Sequence, residues 1–172
     1  MPKTDQGIEV SLKRDRYTVI PRTLVFITRG GRVLLLRGSA QTRIWANKYN
    51  GIGGHIERDE DIYSAARREV LEETSLEVEN LRLVGLINID GDAPTGIMLF
   101  VFAADSRSGE PVPSAEGTLE WIEYTQITQV DLVEDLPIIL PRAIHHPIGA
   151  APFFAHYRYT EQDQLVIRFA EG

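Results

Sequence analysis

Apolar residues come along this chain in short unbroken runs. Residues 24–28 (Leu-Val-Phe-Ile-Thr) and 33–36 (Val-Leu-Leu-Leu) flank Arg29-Gly30-Gly31-Arg32 and predict a β-hairpin whose glycines supply positive φ. Runs with no polar alternation predict a sheet covered on both faces. Residues 81–89 and 97–103 predict two more strands across the turn-rich loop 90–96, and residues 121–124 a short strand after the loop 107–114. Phe153–Tyr159 and Leu165–Phe169 predict a terminal hairpin, its alternating aromatics read as packing. Residues 131–143 predict a helix with Asp131 as N-cap, its regularity limited by Pro137 and Pro141. His145 and His146, adjacent before a proline, read as surface residues, and residues 1–16 as a loose tail or short edge strand. Strands interrupted by two helices, without a clean βαβ repeat, predict a mixed-sheet α/β (α+β) sandwich.

One stretch breaks the pattern. Residues 53–76, GGHIERDEDIYSAARREVLEETSL, pass from a glycine turn into a helix crowded with carboxylates. On a helical wheel Ile62, Ala66, Glu69 and Glu73 follow the i, i+4, i+7, i+11 rhythm of a core-facing stripe, which puts two glutamates on the inward side. Glu72 lies beside them, and the three span an arc of about a third of the helix circumference. Like charges at i, i+4 cost about 0.2–0.5 kcal/mol, and partial burial adds to that. Arg67 and Arg68 are expected on the far side and the flank, so a cation from outside is called for. Oxygen ligands without His or Cys suit Mg²⁺ or Mn²⁺, bound through carboxylates and substrate phosphates. The run Gly51-Ile52-Gly53-Gly54 before the helix lets backbone come close, as a phosphate or metal site needs.

These residues resemble the Nudix box, G-x5-E-x7-R-E-U-x-E-E-x-G-U with U a bulky aliphatic residue. Gly54, Glu60, Arg68, Glu69, Val70, Glu72, Glu73 and Leu76 fill its positions, and only Ser75 departs, where the family has glycine. That glycine closes the helix in a left-handed conformation, so a strained or differently built cap is expected. The resemblance implies an α/β/α sandwich with a mixed sheet, a catalytic loop-helix-loop, and metal-dependent cleavage of a diphosphate linkage. It assigns metal ligands to Glu72, Glu73, Glu116 and the carbonyl of Gly53 or Gly54. Glu69 becomes a ligand or the base that takes the water's proton, and Glu60 with Arg68 a structural ion pair.

Asn50, just before the glycine turn, resembles the base-contacting asparagine of the branch that removes oxidised purine nucleotides such as 8-oxo-dGTP. The loop residues Trp45, Asn47, Lys48 and Tyr49 either form a base-recognition wall or are pinned by Trp45 packing into the core. That branch reads its purine with a tryptophan and two aspartates at the start of the second helix. Here Asp135 keeps one, while Val133 and Leu136 replace the others, and His55 stands where lysine is often found. Arg37 and Lys48 are candidate phosphate contacts. The expected substrate is thus a nucleoside triphosphate, ordinary or oxidised, with ADP-ribose or another nucleoside diphosphate derivative as alternative. A non-catalytic nucleotide-binding module would lack box glutamates, and none is missing; a Ca²⁺ loop of EF-hand type has no counterpart.

The 172 residues, 43% of them hydrophobic, predict one domain with a real core. A net charge of −7 argues against undirected binding to nucleic acid or membrane, and implies that an anionic substrate enters with its metal. With no cysteine there is no disulfide or thiolate chemistry, and no apolar run reaches the roughly 18 residues of a membrane span. A cytoplasmic home is the default expectation, and family relatives are often homodimers.

Overall fold

The computed structural model describes residues 17–40, 45–91, 94–112 and 116–171; the expected N-terminal tail lies outside them. Among the described residues eight strands form one mixed sheet. In chain order they are β1 (Thr18–Arg29), β2 (Arg32–Gly38), β3 (Tyr49–Asn50), β4 (Glu79–Asp90), β5 (Thr95–Asp105), β6 (Gly117–Glu123), β7 (Phe153–Tyr159) and β8 (Leu165–Phe169). The helices are α1 (Ile62–Thr74) and α2 (Leu136–Ile144). The sheet runs β3-β2-β1-β5-β4-β7-β8, with β6 on the other side of β2. β1 with β5 and β4 with β7 are parallel pairs, while the other strand pairs are antiparallel.

The unbroken apolar runs find cover on both sides. Strand alternation sends Leu24 and Phe26 to one face and Val25 and Ile27 to the other. The first pair joins Leu136, Ile139, Leu140 and Ala143 of α2. The second joins Ala66 and Val70 of α1. An α/β/α sandwich follows from those two clusters. The β1–β2 turn carries positive φ at Gly30 and Gly31, as a two-residue hairpin turn needs.

β1 pairs with β2 only over its last residues, from Ile27 to Arg29. The rest of that edge is taken by the glycine loop. Val25 and Ile52 exchange backbone hydrogen bonds of 2.6 and 3.1 Å, and the Thr23 N–H donates to the Gly54 carbonyl at 2.9 Å. The loop that opens the acidic helix is thereby fastened to a central strand. At the other end of α1 the Ser75 N–H donates to the Leu71 carbonyl, and Ser75 itself is left-handed, at φ 56°.

Several boundaries differ from the sequence expectation: β1 begins at Thr18 rather than Leu24, and Tyr49–Asn50, read as loop, form β3. The second helix begins at Leu136, with Asp135 in the N-cap position rather than Asp131. Pro137 fixes its first turn, and the residues before it run alongside β3: the Tyr49 N–H donates to the Asp131 carbonyl and the Val133 N–H to the Tyr49 carbonyl. The strand expected over 121–124 is the longer β6, and Tyr124 begins a 3-10 turn, Tyr124–Gln129. Among the described residues no helix is long and apolar enough to cross a membrane.

Candidate functional site

α1 starts on Asp61, whose carboxylate accepts from the Tyr63 and Ser64 N–H groups at 2.8 and 3.0 Å. From that start the helical period turns Glu73 into the protein, 4% exposed. Glu73 accepts from the Gly53 N–H, yet its Oε2 is buried with no hydrogen bond among the described residues. Burial, with the negative fields of Glu116 and Glu69 added, pushes its pKa up to about 8. Glu69, mostly buried, is also raised, because desolvation outweighs its pairing with Arg68. Glu116, in the turn before β6, is near enough for its charge to raise both.

Arg68 is where the sequence expectation fails. The sequence predicts it on the flank, but its Nη1 donates to Glu69 Oε1 at 2.9 Å and to Glu72 Oε2 at 3.1 Å. Its Nε donates to Glu60 Oε2 at 3.0 Å and its Nη2 to the His55 carbonyl at 3.0 Å. A long side chain one residue before Glu69 can curl back over the helix, and Glu60 across the loop anchors it there. The acids are therefore partly neutralised from within, and among the described residues they do not close into a finished ligand shell.

A divalent cation nevertheless fits these residues. Glu73 Oε2 is an orphaned buried oxygen, and Glu69, Glu72 and Glu116 add hard oxygens around it. Of the two candidate carbonyls, that of Gly54 already accepts from Thr23, which points to that of Gly53. Gly54 touches the same acids: a Cβ there would lie 2.5 Å from Glu69 Oε1.

The two glycines also line a cavity of about 330 Å³, within the range of small-molecule sites. Asn50, Trp45, Val133 and Asp135 of the expected set line it as well. Trp45 is 47% exposed and does not pin its loop into the core. The Gly51 N–H donates to Asn50 Oδ1 at 2.8 Å, which leaves the amide NH₂ as the group Asn50 can present. Leu136 packs in the core instead. Asp135 is raised by burial.

Arg37 and Lys48 do not reach the cavity. Arg37 is the cross-strand neighbour of Tyr49 and covers its ring, the guanidinium carbon 5.8 Å from the centroid. Lys48 Nζ lies 3.7 Å from Asp131 Oδ1. Conversely, sequence reasoning passed over Arg22 and dismissed the tyrosines of β7. Arg22 lines the cavity and its Nη2 lies 2.9 Å from His55 Nε2, an approach visible only once the loop is seen paired to β1. Tyr157 and Tyr159 line it too. Their period-2 spacing was the available signal, since it places both on one face of β7. His145 is exposed, as expected, while His146 is half-buried with Nε2 3.1 Å from the Ala151 carbonyl.

Comparison with known proteins agrees with this geometry. Residues 19–143 match the family described as NUDIX domain. The chain is 40% identical over 145 residues to the oxidized purine nucleoside triphosphate hydrolase of Danio rerio, covering 84% of this chain and 89% of that protein. With the Mus musculus protein of the same name it shares 32% over 149 residues, with the same coverage of 84% and 89%. Among solved structures, the mutator MutT protein from Bacillus halodurans superimposes with a TM-score of 0.73 at 25% identity, over 87% of this chain and 97% of that one.

Proposed function

This chain belongs to the NUDIX family and is a hydrolase of phosphoric anhydrides, and from that premise we propose that it cleaves a purine nucleoside triphosphate, preferentially an oxidised one, to the monophosphate and pyrophosphate. The observation that carries the reading is the shared glycine loop. Gly53 and Gly54 touch the buried carboxylates and line the cavity as well, so one substrate spans both. Its phosphates lie at the acids and its base in the cavity.

NUDIX hydrolases generally use divalent metal ions. Mg²⁺, or Mn²⁺ in its place, held by Glu72, Glu73, Glu116 and the Gly53 carbonyl, would neutralise the phosphate oxygens and lower the pKa of the attacking water. The chain's own residues do the rest. Glu73, fixed by the Gly53 N–H, holds a full negative charge at the centre once its proton is displaced. Glu69 takes the water's proton as the water oxygen bonds to phosphorus and the anhydride P–O bond breaks. Arg68, anchored by Glu60, keeps Glu69 and Glu72 from turning to solvent. In the cavity Trp45 offers a face for stacking, and Asn50 and Asp135 offer hydrogen bonds to the base.

The test is a phosphate-release screen of the full chain with Mg²⁺ and added pyrophosphatase, against ordinary and oxidised dNTPs. ADP-ribose and dinucleoside polyphosphates are assayed after phosphatase treatment. Preference for an oxidised purine triphosphate is the expected result. Preference for ADP-ribose would move the substrate to nucleoside diphosphate derivatives, and silence across the panel would leave a nucleotide-binding module.

A further inference from the structure

A substrate that spans cavity and acids passes along the glycine loop, and one cation stands beside that passage. Arg22 is the only basic residue among the described residues that line the cavity. Strand alternation puts its side chain on the cavity face with Leu24, and Leu99, its partner in register on β5, lines the cavity too. The next residue, Thr23, is the one whose N–H holds the Gly54 carbonyl. The guanidinium itself reaches His55, which follows Gly54 in the chain. It therefore sits at the glycine edge of the cavity.

The bonds it makes leave it half used. Nε and Nη2 lie 3.2 and 2.9 Å from His55 Nε2, and since arginine can only donate, the imidazole nitrogen accepts both. A guanidinium has five N–H groups, so the outer ones stay open. Among the described residues no carboxylate pairs with it. The acids of the cavity wall, Glu134 and Asp135, belong to the start of α2 and are not joined to it. Arg37 and Lys48, the cations expected from the sequence to meet phosphate, are engaged elsewhere. A charged fork without an acid, in a chain of net charge −7, matches a phosphate.

We propose that Arg22 binds the α-phosphate: its outer N–H groups donate to the non-bridging oxygens of the phosphate nearest the nucleoside, while His55 holds the fork in place. The proposal rests on the nucleotide reading above and adds a protein contact for the phosphate that hydrolysis leaves on the product. The β- and γ-phosphates lie further along, at the acids, where the cation comes from outside. A guanine edge is the competing partner for such a fork, through its N7 and O6 acceptors. Arg22 stands at the glycine loop, on the way to the acids, and that place favours the phosphate.

The experiment is titration calorimetry of the full chain, of Arg22→Met and of Arg22→Lys, in EDTA, with deoxyguanosine, dGMP, 8-oxo-deoxyguanosine and 8-oxo-dGMP. Within each pair only the phosphate differs, and EDTA leaves no metal to hold it. Methionine keeps an unbranched stem and removes the fork. It is expected to lose about tenfold in affinity for both monophosphates and nothing for either nucleoside. Lysine keeps the charge without the fork and should fall between methionine and the wild type. Equal losses for nucleoside and monophosphate would make Arg22 a base contact or a structural residue. That result, no loss with either variant, or no binding by the wild type overturns the proposal. Binding needs no turnover, so these failures are distinct from a silent hydrolysis screen.

Discussion

Glu73, buried, and Asp135, half-buried, are both carboxyls held above the usual range by desolvation, at opposite ends of one site, and they differ in company. Around Glu73 stand other acids, and its spare oxygen has no partner. Asp135 lies beside the Tyr157 hydroxyl, in the wall of a mostly apolar cavity. Negative charge crowded on negative charge asks for a cation, whereas a carboxyl beside a hydroxyl in an apolar wall suits a neutral group. A triphosphate could not settle against the first end without a cation, and a cation would gain little at the second. The contrast argues for a substrate that is itself divided, charged at one end and neutral at the other.

Removing the charge at the crowded end should have the largest effect. Glu73→Gln is expected to lower kcat by roughly 10²–10³-fold while product affinity at the base end persists, which steady-state kinetics and calorimetry together would show. Stability should move the other way. In the folded chain Glu73 keeps its proton up to about pH 8, against an ordinary value of 4.5. A group whose folded pKa is raised stabilises fully below its unfolded pKa and loses that contribution as pH rises through the folded one. The metal-free wild type should therefore melt progressively lower as pH climbs through the window between those values. Glu73→Gln should be flatter there, and added Mg²⁺ should reverse the decline by taking the proton's place. A wild type that gains stability over that window would break the account of this end.

The two glycines between the ends allow a finer cut. A Cβ on Gly54 would meet side-chain atoms of Glu69, with Oε1 at 2.5 Å and Cδ at 2.7 Å, and these can swing aside. A Cβ on Gly53 would lie 2.2 Å from the Thr23 carbonyl oxygen, fixed in β1, at a φ of 149°. Gly54→Ala should melt near the wild type and lose about 10–100-fold in kcat, because it displaces a carboxylate. Gly53→Ala should lose about 3 kcal/mol of stability, because backbone must move. Thermal melts alongside kinetics check both, and the same outcome for the pair would erase the distinction.

The ends also differ in how far the sequence discloses them. The acid end sits almost wholly within residues 53–76, and helical periodicity alone turned Glu69 and Glu73 inward. Only Arg68 escaped, since a wheel gives the direction of a Cα–Cβ bond and not the bend of a long side chain beyond it. The base end is assembled from β1, the loop before the glycines, the start of α2 and β7. Tyr157 is in that wall only because β7 runs parallel beside β4, a pairing no local pattern encodes. Asp131 has the side chain of a cap but does not serve as one, for the same reason: its backbone is drawn off to pair with Tyr49. The two strands of the first hairpin were legible because a covered sheet writes itself as unbroken apolar runs.

The smallest effect belongs to Ser75, behind the acid end. A left-handed conformation costs a residue with a Cβ about 1–2 kcal/mol. Here the turn is held from several sides. Beyond the Ser75 N–H bond to Leu71, the Leu76 N–H donates to Thr74 Oγ1 at 3.1 Å and the Val112 N–H to the Thr74 carbonyl at 2.9 Å. Leu76 is itself buried against the α1 side of the sheet. Those contacts fix the helix end whichever residue stands at position 75, so serine bears strain without moving the glutamates. Ser75→Gly should relieve it and stabilise by about 0.5–1 kcal/mol, the glycine's greater freedom in the unfolded chain taking back the remainder. At this chain length that is a rise of about 2 °C in melting temperature, with kcat unchanged. A change in kcat would mean that the cap sets the acids as well as ending the helix, and that the crowded end is tuned from behind.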